Sequence, residues 1–300
     1  MTHTFALALL GSLAATASTI GPQKESATQA GPRTKEIYVS VLDDSGAPVP
    51  GLSAADFSVR EGEDRTVREV LKAGPATALL TISVLVDDSQ AAEPAIQELR
   101  RGLTEFVELL DGKAEIAIAT FGERPTSIVD YTTSTEVLKR GITKIFSRQS
   151  AGSYLLDAIV EVSRGLQRRE DATRRVIIAL TVEGVEFSNL YYQPVLQELR
   201  KSGATFHALA IGNPSDSRTD EMRNRNIVLS EGTSLTGGRR DQILAVSAIP
   251  TKLTQVAAEL LNQYVVTYSR PEMLIPPEKV EVSVNRPDVT VRATKVAPGR

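Results

Sequence analysis

The chain has no cysteine and two histidines, His3 and His207, in 300 residues. The missing cysteines exclude disulfides, a thiol nucleophile and any cysteine-ligated zinc site. Two histidines leave little room for a His-rich metal centre or a histidine relay. No block of like charge is present either: the formal net charge is -3, with both signs mixed along the sequence. That argues against a nucleic-acid footprint and a polybasic membrane patch. A Walker loop, a Gly-x-Ser-x-Gly elbow and a Gly-x-Gly-x-x-Gly fingerprint are all missing. Beyond the N-terminus, no segment reaches the roughly 18 uninterrupted apolar residues of a membrane span.

The hydrophobic content of 41% suffices for one large domain or two ordinary ones. Residues 1–17 read as a signal peptide: Phe5 to Gly11 is apolar, and Ala15-Thr16-Ala17 has the small-x-small form of a cleavage site. The segment lacks the usual basic residues before the apolar stretch. If it is not cleaved, it is the one segment expected to touch a membrane. Residues 18–36 are rich in Ser, Thr, Gln, Gly and Pro and read as a disordered linker.

The remainder divides by periodicity. From 37 to 76 the pattern is β: a strand at Ile37–Leu42, a short helical turn at Ser53–Asp56, and a hairpin pairing Phe57–Arg60 with Thr66–Val70. Asp43-Asp44 reads as a solvated turn. From 77 to 263 strands alternate with helices. Leu79–Val86 is a buried strand and Glu93–Leu110 a helix whose stripe is Ile96, Leu99, Leu103, Val107 and Leu110. Further helices are expected at 135–145, 155–168, 194–202 and 250–263, and strands at 115–121, 127–131, 176–180 and 206–211. Asn213 to Asn226 reads as a loop, Gly237-Gly238 as a helix-ending turn, and His207 as a packed strand residue. From 264 to 300 the pattern is β again. The alternation implies a Rossmann-like, doubly wound α/β sheet. The flanking β segments are each too small to stand alone, which implies that they share one small sandwich-like β domain with the α/β unit inserted between them.

The most informative stretch is Ile82-Ser83-Val84-Leu85-Val86-Asp87-Asp88-Ser89-Gln90-Ala91. An apolar strand ends in Asp-x-Ser, hard oxygen donors suited to Mg2+ or Ca2+. The segment resembles the first metal-site loop of von Willebrand factor A domains, with Ala91 where a second serine is usual. Ala151-Gly152-Ser153-Tyr154-Leu155-Leu156-Asp157-Ala158 resembles the second loop, and Leu180-Thr181-Val182-Glu183-Gly184 the third, without its aspartate. The passages Val41 to Phe57, Thr236-Gly237-Gly238 and Leu260 to Tyr268 extend the likeness to secreted bacterial von Willebrand factor A-related proteins typical of acidobacteria. The resemblance covers 37 to 295.

The resemblance implies a degenerate metal-ion-dependent adhesion site with Asp87, Ser89, Ser153 and Glu183 as the ligand set, and metal binding weak or lost. It implies a secreted or periplasmic, non-enzymatic module that binds a protein partner through its loop face. Gln90, Tyr154, Phe187, Tyr191 and Tyr192 are the expected contact residues. The rival reading is a structural subunit of an envelope or secretion assembly, held through β edges.

Overall fold

In the computed structural model, which describes residues 33–74, 77–169, 173–214, 219–270 and 277–296, the chain enters as a strand at Arg33. β1 spans Arg33–Asp43 and pairs with the C-terminal part of the chain from its first residue. The linker expected over 18–36 therefore ends earlier than expected, because Thr34 to Glu36 find ladder partners that lie far away in sequence. The signal-peptide reading lies outside the described residues.

A 3-10 turn at Ala54–Asp56 follows, with the Ser53 amide donating to Asp56 Oδ2 at 2.8 Å. β2 (Phe57–Glu61) turns back at Gly62 into β3 (Glu63–Arg65), and β4 (Val67–Lys72) leaves for another sheet. The expected hairpin of 57–60 with 66–70 is thus corrected. β4 pairs antiparallel with the last long strand instead, a tertiary choice that local pattern does not encode.

The α/β part runs β5 (Leu79–Val86), α1 (Ile96–Leu109), β6 (Ala114–Thr120), β7 (Thr126–Thr132), α2 (Thr135–Ile142), α3 (Leu155–Gln167) and β8 (Thr173–Val182). It continues as α4 (Tyr192–Ser202), β9 (Thr205–Ile211), α5 (Asp220–Ile227), α6 (Thr233–Thr236), β10 (Arg240–Ile243) and α7 (Ile249–Leu261). Pro94 sits in a 3-10 segment, Gln90–Ala95, so α1 starts later than expected. From Asp220 the segment read as a loop instead becomes α5, extended through a π turn into α6. Gly237, in the left-handed region at φ 78, ends that run.

The six strands order as β10-β9-β8-β5-β6-β7, parallel except for β7. β5 is central and all but Leu79 of it is buried, which accounts for its unbroken apolar run. One face packs on α1, α2 and α7 through Leu99, Leu103, Phe106, Leu253 and Leu260; the other packs on α3 and α4 through Leu155, Ile159, Val195 and Leu199.

β11 (Tyr264–Arg270), β12 (Glu281–Val284) and β13 (Val289–Ala293) complete the chain. They build two small antiparallel sheets with the N-terminal strands, ordered β13-β1-β11-β4 and β12-β2-β3. One core joins both sheets, with Ile37, Val39, Phe57, Val59, Val266 and Tyr268 buried together. Tyr264 connects distant segments by donating its hydroxyl to the Val49 carbonyl at 2.7 Å. The β layer is tied to the α/β layer by Gln263 Nε2 donating to Ser40 Oγ at 3.1 Å and by Arg292 paired with Glu259 at 2.9 Å.

Candidate functional site

The chain leaves β5 toward one side of the sheet and returns to β8 on the other. A crevice therefore opens at the carboxyl ends of β5 and β8, where open α/β sheets bind ligands. Three loops meet there: 87–91 after β5, 151–154 before α3, and 183–191 after β8.

Asp87 is fully buried. Its Oδ1 accepts from the Ser89 amide at 3.0 Å and its Oδ2 from the Val182 amide at 3.0 Å, so the side chain staples the first loop to the third. Burial pushes its carboxyl above the ordinary carboxylate range; the Ser89 and Val182 hydrogen bonds and the Arg225 charge pull it back. Asp88 is equally enclosed: it accepts from the Gly122 amide at 2.6 Å and pairs with Arg148 at 2.8 Å. A Cβ at Gly122 would lie 2.6 Å from Asp88 Oδ1, so this position admits only glycine.

The second and third loops are zipped by a short parallel bridge between Ser153 and Glu186. The Phe187 amide donates to the Ser153 carbonyl at 2.8 Å, and the Ser153 hydroxyl to Glu186 Oε2 at 3.3 Å. Glu186 also accepts from the Ser188 amide at 3.1 Å. Burial pushes its carboxyl up to about 7 against the pull of the Ser188 bonds and Arg225. Gly152 lies directly beneath the Phe187 ring, which fills the space a Cβ would need. That ring stacks on Tyr154 with centroids 6.0 Å apart.

Glu183 turns away from the other expected ligands. It forms a buried ion pair with Arg225 at 3.1 Å and accepts from Gln242 at 3.3 Å. Arg225 is delivered by α5, whose N-cap Thr219 accepts from the Met222 amide at 3.3 Å. Its second nitrogen donates to Thr181 Oγ1 at 3.1 Å, and Thr181 in turn donates to Asp87 Oδ2 at 3.5 Å.

Of the expected contact residues, Phe187 and Tyr191 stand exposed, whereas Tyr154 and Tyr192 are half-buried, Tyr192 packing on the core beside α3 and α4. Gln90 is exposed, and its side-chain carbonyl accepts from the Ser150 amide at 3.3 Å, pinning the second loop. Sequence reasoning missed Arg225 and Arg148, and it placed Asp88 in the first loop without a role of its own. The readable signal for Arg225 was the helix-start pattern Thr219-Asp220-Glu221.

Residues 81–241 match the family model of the von Willebrand factor type A domain. The chain belongs to that family. Domains of this family are commonly interaction or adhesion modules and generally not enzymes. No curated protein matches the chain.

Among solved structures, proximal thread matrix protein 1 from the mussel byssus, with a zinc-occupied MIDAS motif, is similar at 16% identity and a TM-score of 0.52. That match covers 67% of this chain and 50% of the mussel protein. The pilus adhesin SpaC from Lactobacillus rhamnosus GG, in its open conformation, is similar at 11% identity and a TM-score of 0.50, covering 87% of this chain and 49% of the adhesin. A von Willebrand factor type A protein from Catenulispora acidiphila shares 10% identity over 89% of this chain and 74% of its own, with a TM-score of 0.49. This chain thus spans about half of the mussel protein and of the adhesin, and the likeness to them is one of fold.

Members of the family can hold a metal at a MIDAS motif, which is zinc-occupied in the mussel structure. The residues present here do not fit that role. Both Asp87 oxygens already accept backbone amides, the Ser153 hydroxyl faces Glu186, and Glu183 is turned to Arg225. Position 91 offers a methyl, which abuts Gly184 of the third loop. Among the described residues, no group of three or more His, Asp or Glu side chains is arranged to hold a metal ion. Of the ligand set expected from the resemblance, Asp87, Ser89 and Ser153 lie on the loops of the crevice, with Asp87 accepting from the Ser89 amide and Ser153 donating to Glu186, while Glu183 is paired with Arg225.

Proposed function

We propose that this chain is an exported, non-enzymatic binding module that captures a protein partner with the loop face of its von Willebrand factor A domain. One observation carries the reading. Around the carboxyl ends of the strands, Val185, Phe187, Tyr191 and Leu244 are 56%, 52%, 71% and 70% exposed, while Asp87, Ser153 and Glu186 nearby are hydrogen-bonded within the protein. Large apolar side chains rimming a closed polar floor suit a partner surface, where aromatic anchors supply most of the binding energy. Glu186 is walled from solvent and held by Ser153 and Ser188, which keeps it from a substrate and supports a role without chemistry. Export follows from the apolar segment Phe5 to Gly11 and the motif Ala15-Thr16-Ala17. N-terminal sequencing of the exported protein is expected to begin near Ser18; an intact Met1 in the soluble cytoplasmic fraction contradicts export.

The rival surface is β4, an edge strand that exposes Leu71. Its neighbours Arg68, Glu69 and Lys72 are exposed charges, a pattern that blunts edges against pairing. A photo-crosslinker placed at Phe187 is expected to trap a partner in the native envelope, while one at Leu71 traps none. The reverse outcome assigns binding to the β layer.

A further inference from the structure

The crevice of this domain carries more negative charge than its known chemistry explains. Asp87, Glu186 and Glu183 belong to two of its loops, and their side chains are all withdrawn from solvent. Burying carboxylates without a compensating charge is costly enough that such groups are paired, bound to a metal or neutralised. In the mussel protein the site holds zinc. Here the oxygens are turned inward, and a different cation is already present.

Arg225 has its side chain 1% exposed. One nitrogen lies 3.1 Å from Glu183 Oε2. The other donates to Thr181 Oγ1 at 3.1 Å and reaches the Val182 carbonyl at 3.5 Å. Thr181 and Val182 are the two residues that donate to Asp87 Oδ2. The guanidinium is thus one hydrogen-bonded residue away from the carboxylate that opens the Asp-x-Ser loop. Its charge acts on Asp87 and on Glu186 alike. A guanidinium is always charged and presents a rigid fork of donors, which allows it to bridge the third loop as a fixed cation.

We propose that Arg225 is the built-in counter-ion of the loop face, so that this domain ties its third loop to Asp87 of the first with a side chain where metal-bound relatives use a divalent ion. The loop face then carries a fixed cation of its own, independent of divalent metal. Partner recognition, whatever the partner, is free of metal control. This inference rests on the crevice alone and stands or falls separately from the proposed binding role.

The test is a Mn2+ titration of the full chain, reading free Mn2+ by electron paramagnetic resonance. The wild-type protein is expected to bind no Mn2+ with a Kd below about 1 mM, since its oxygens are engaged and Arg225 already sets a fixed positive charge beside them. Arg225→Gln removes the cation and leaves the carboxylates in place; Mn2+ affinity is expected to rise at least about tenfold. Should that variant fail to fold, the double variant Arg225→Gln with Glu183→Gln removes the ion pair as a unit and is expected to show the same gain through Asp87 and Glu186. Wild-type binding tighter than about 1 mM overturns the proposal, as does a folded variant that takes up Mn2+ no better than wild type. The wild-type titration decides by itself if neither variant folds.

Discussion

Two buried charge clusters sit at the two ends of the same sheet, and they are built with different balance. At the carboxyl ends of the strands, Asp87, Glu183 and Glu186 surround one buried cation, Arg225. Near the strand starts, the fully buried Glu259 of α7 is held by two cations, Arg239 at 3.4 Å and Arg292 at 2.9 Å. Asp241 joins Arg239 there. The second cluster reaches across layers, since Arg292 belongs to β13, so its charges fasten the β layer to the α/β layer. The first stays within the α/β part and fastens loops to one another. The difference teaches that buried charge in this chain is used for two purposes: joining layers at one end, and closing a binding face at the other.

The largest effect is expected where the N- and C-terminal segments share one sheet. β1 lies between β13 and β11. Truncation after Gln263 removes both its neighbours, so hydrogen exchange is expected to show residues 37–72 unprotected while β5, β6 and β8 keep their protection. Retained protection at Ile37 to Val41 would show that the N-terminal strands fold without their partners.

Breaking either cluster comes next. Removing one member of a buried pair leaves an uncompensated charge and costs about 3–5 kcal/mol. Arg225→Ala and Glu259→Ala are both expected to lose stability of that order by urea unfolding. They differ in where protection falls: over the loops at 87–91 and 183–191 for Arg225→Ala, and over β13 for Glu259→Ala. Loss confined to the same region in both variants would erase the distinction between the clusters.

The lower cluster also predicts a pH response. His207 is buried beside it, accepts from the Arg239 amide at 3.3 Å, and burial lowers its imidazole from the ordinary 6.5 to about 4. Between those values the unfolded chain binds a proton that the folded chain does not. Stability is therefore full above pH 6.5 and falls as pH drops toward about 4, levelling off below. A drop of about 3 kcal/mol follows from 1.36 kcal/mol per unit. His207→Gln is expected to remove this step; an unchanged pH profile assigns the acid sensitivity elsewhere.

The smallest effect on stability belongs to the rim. Phe187→Ala, at a half-exposed ring, is expected to cost under about 1 kcal/mol of folding stability, yet to weaken partner capture by at least roughly 30-fold if the ring is an anchor. Equal capture by wild type and variant would move the binding surface away from the loop face.

Much of this architecture was legible in the residues themselves. The run Leu79 to Val86 reads as a buried strand because it is buried on both faces, and the α1 stripe Ile96, Leu99, Leu103, Val107 recurs with helical period. The Asp87-x-Ser89 loop was legible because it follows that strand directly. What stayed hidden was set by tertiary choice. β4 leaves β3 to pair with β11, across nearly two hundred residues of sequence. α5 hid because Asp220-Glu221-Met222-Arg223-Asn224-Arg225 has almost no apolar face, and with it went the arginine that completes the crevice. Local pattern displayed the carboxylates and the hydroxyls; their cation comes from a helix more than forty residues after the third loop's strand began.

The loop face is closed by Arg225 rather than by a metal. That closure is tested most directly by diffraction at the manganese edge from crystals of the full chain grown in MnCl2. The expected map shows the Arg225 guanidinium between Glu183 and Thr181 and no anomalous peak in the crevice. A peak within about 2.6 Å of an oxygen of Asp87, Ser89 or Ser153 would contradict it.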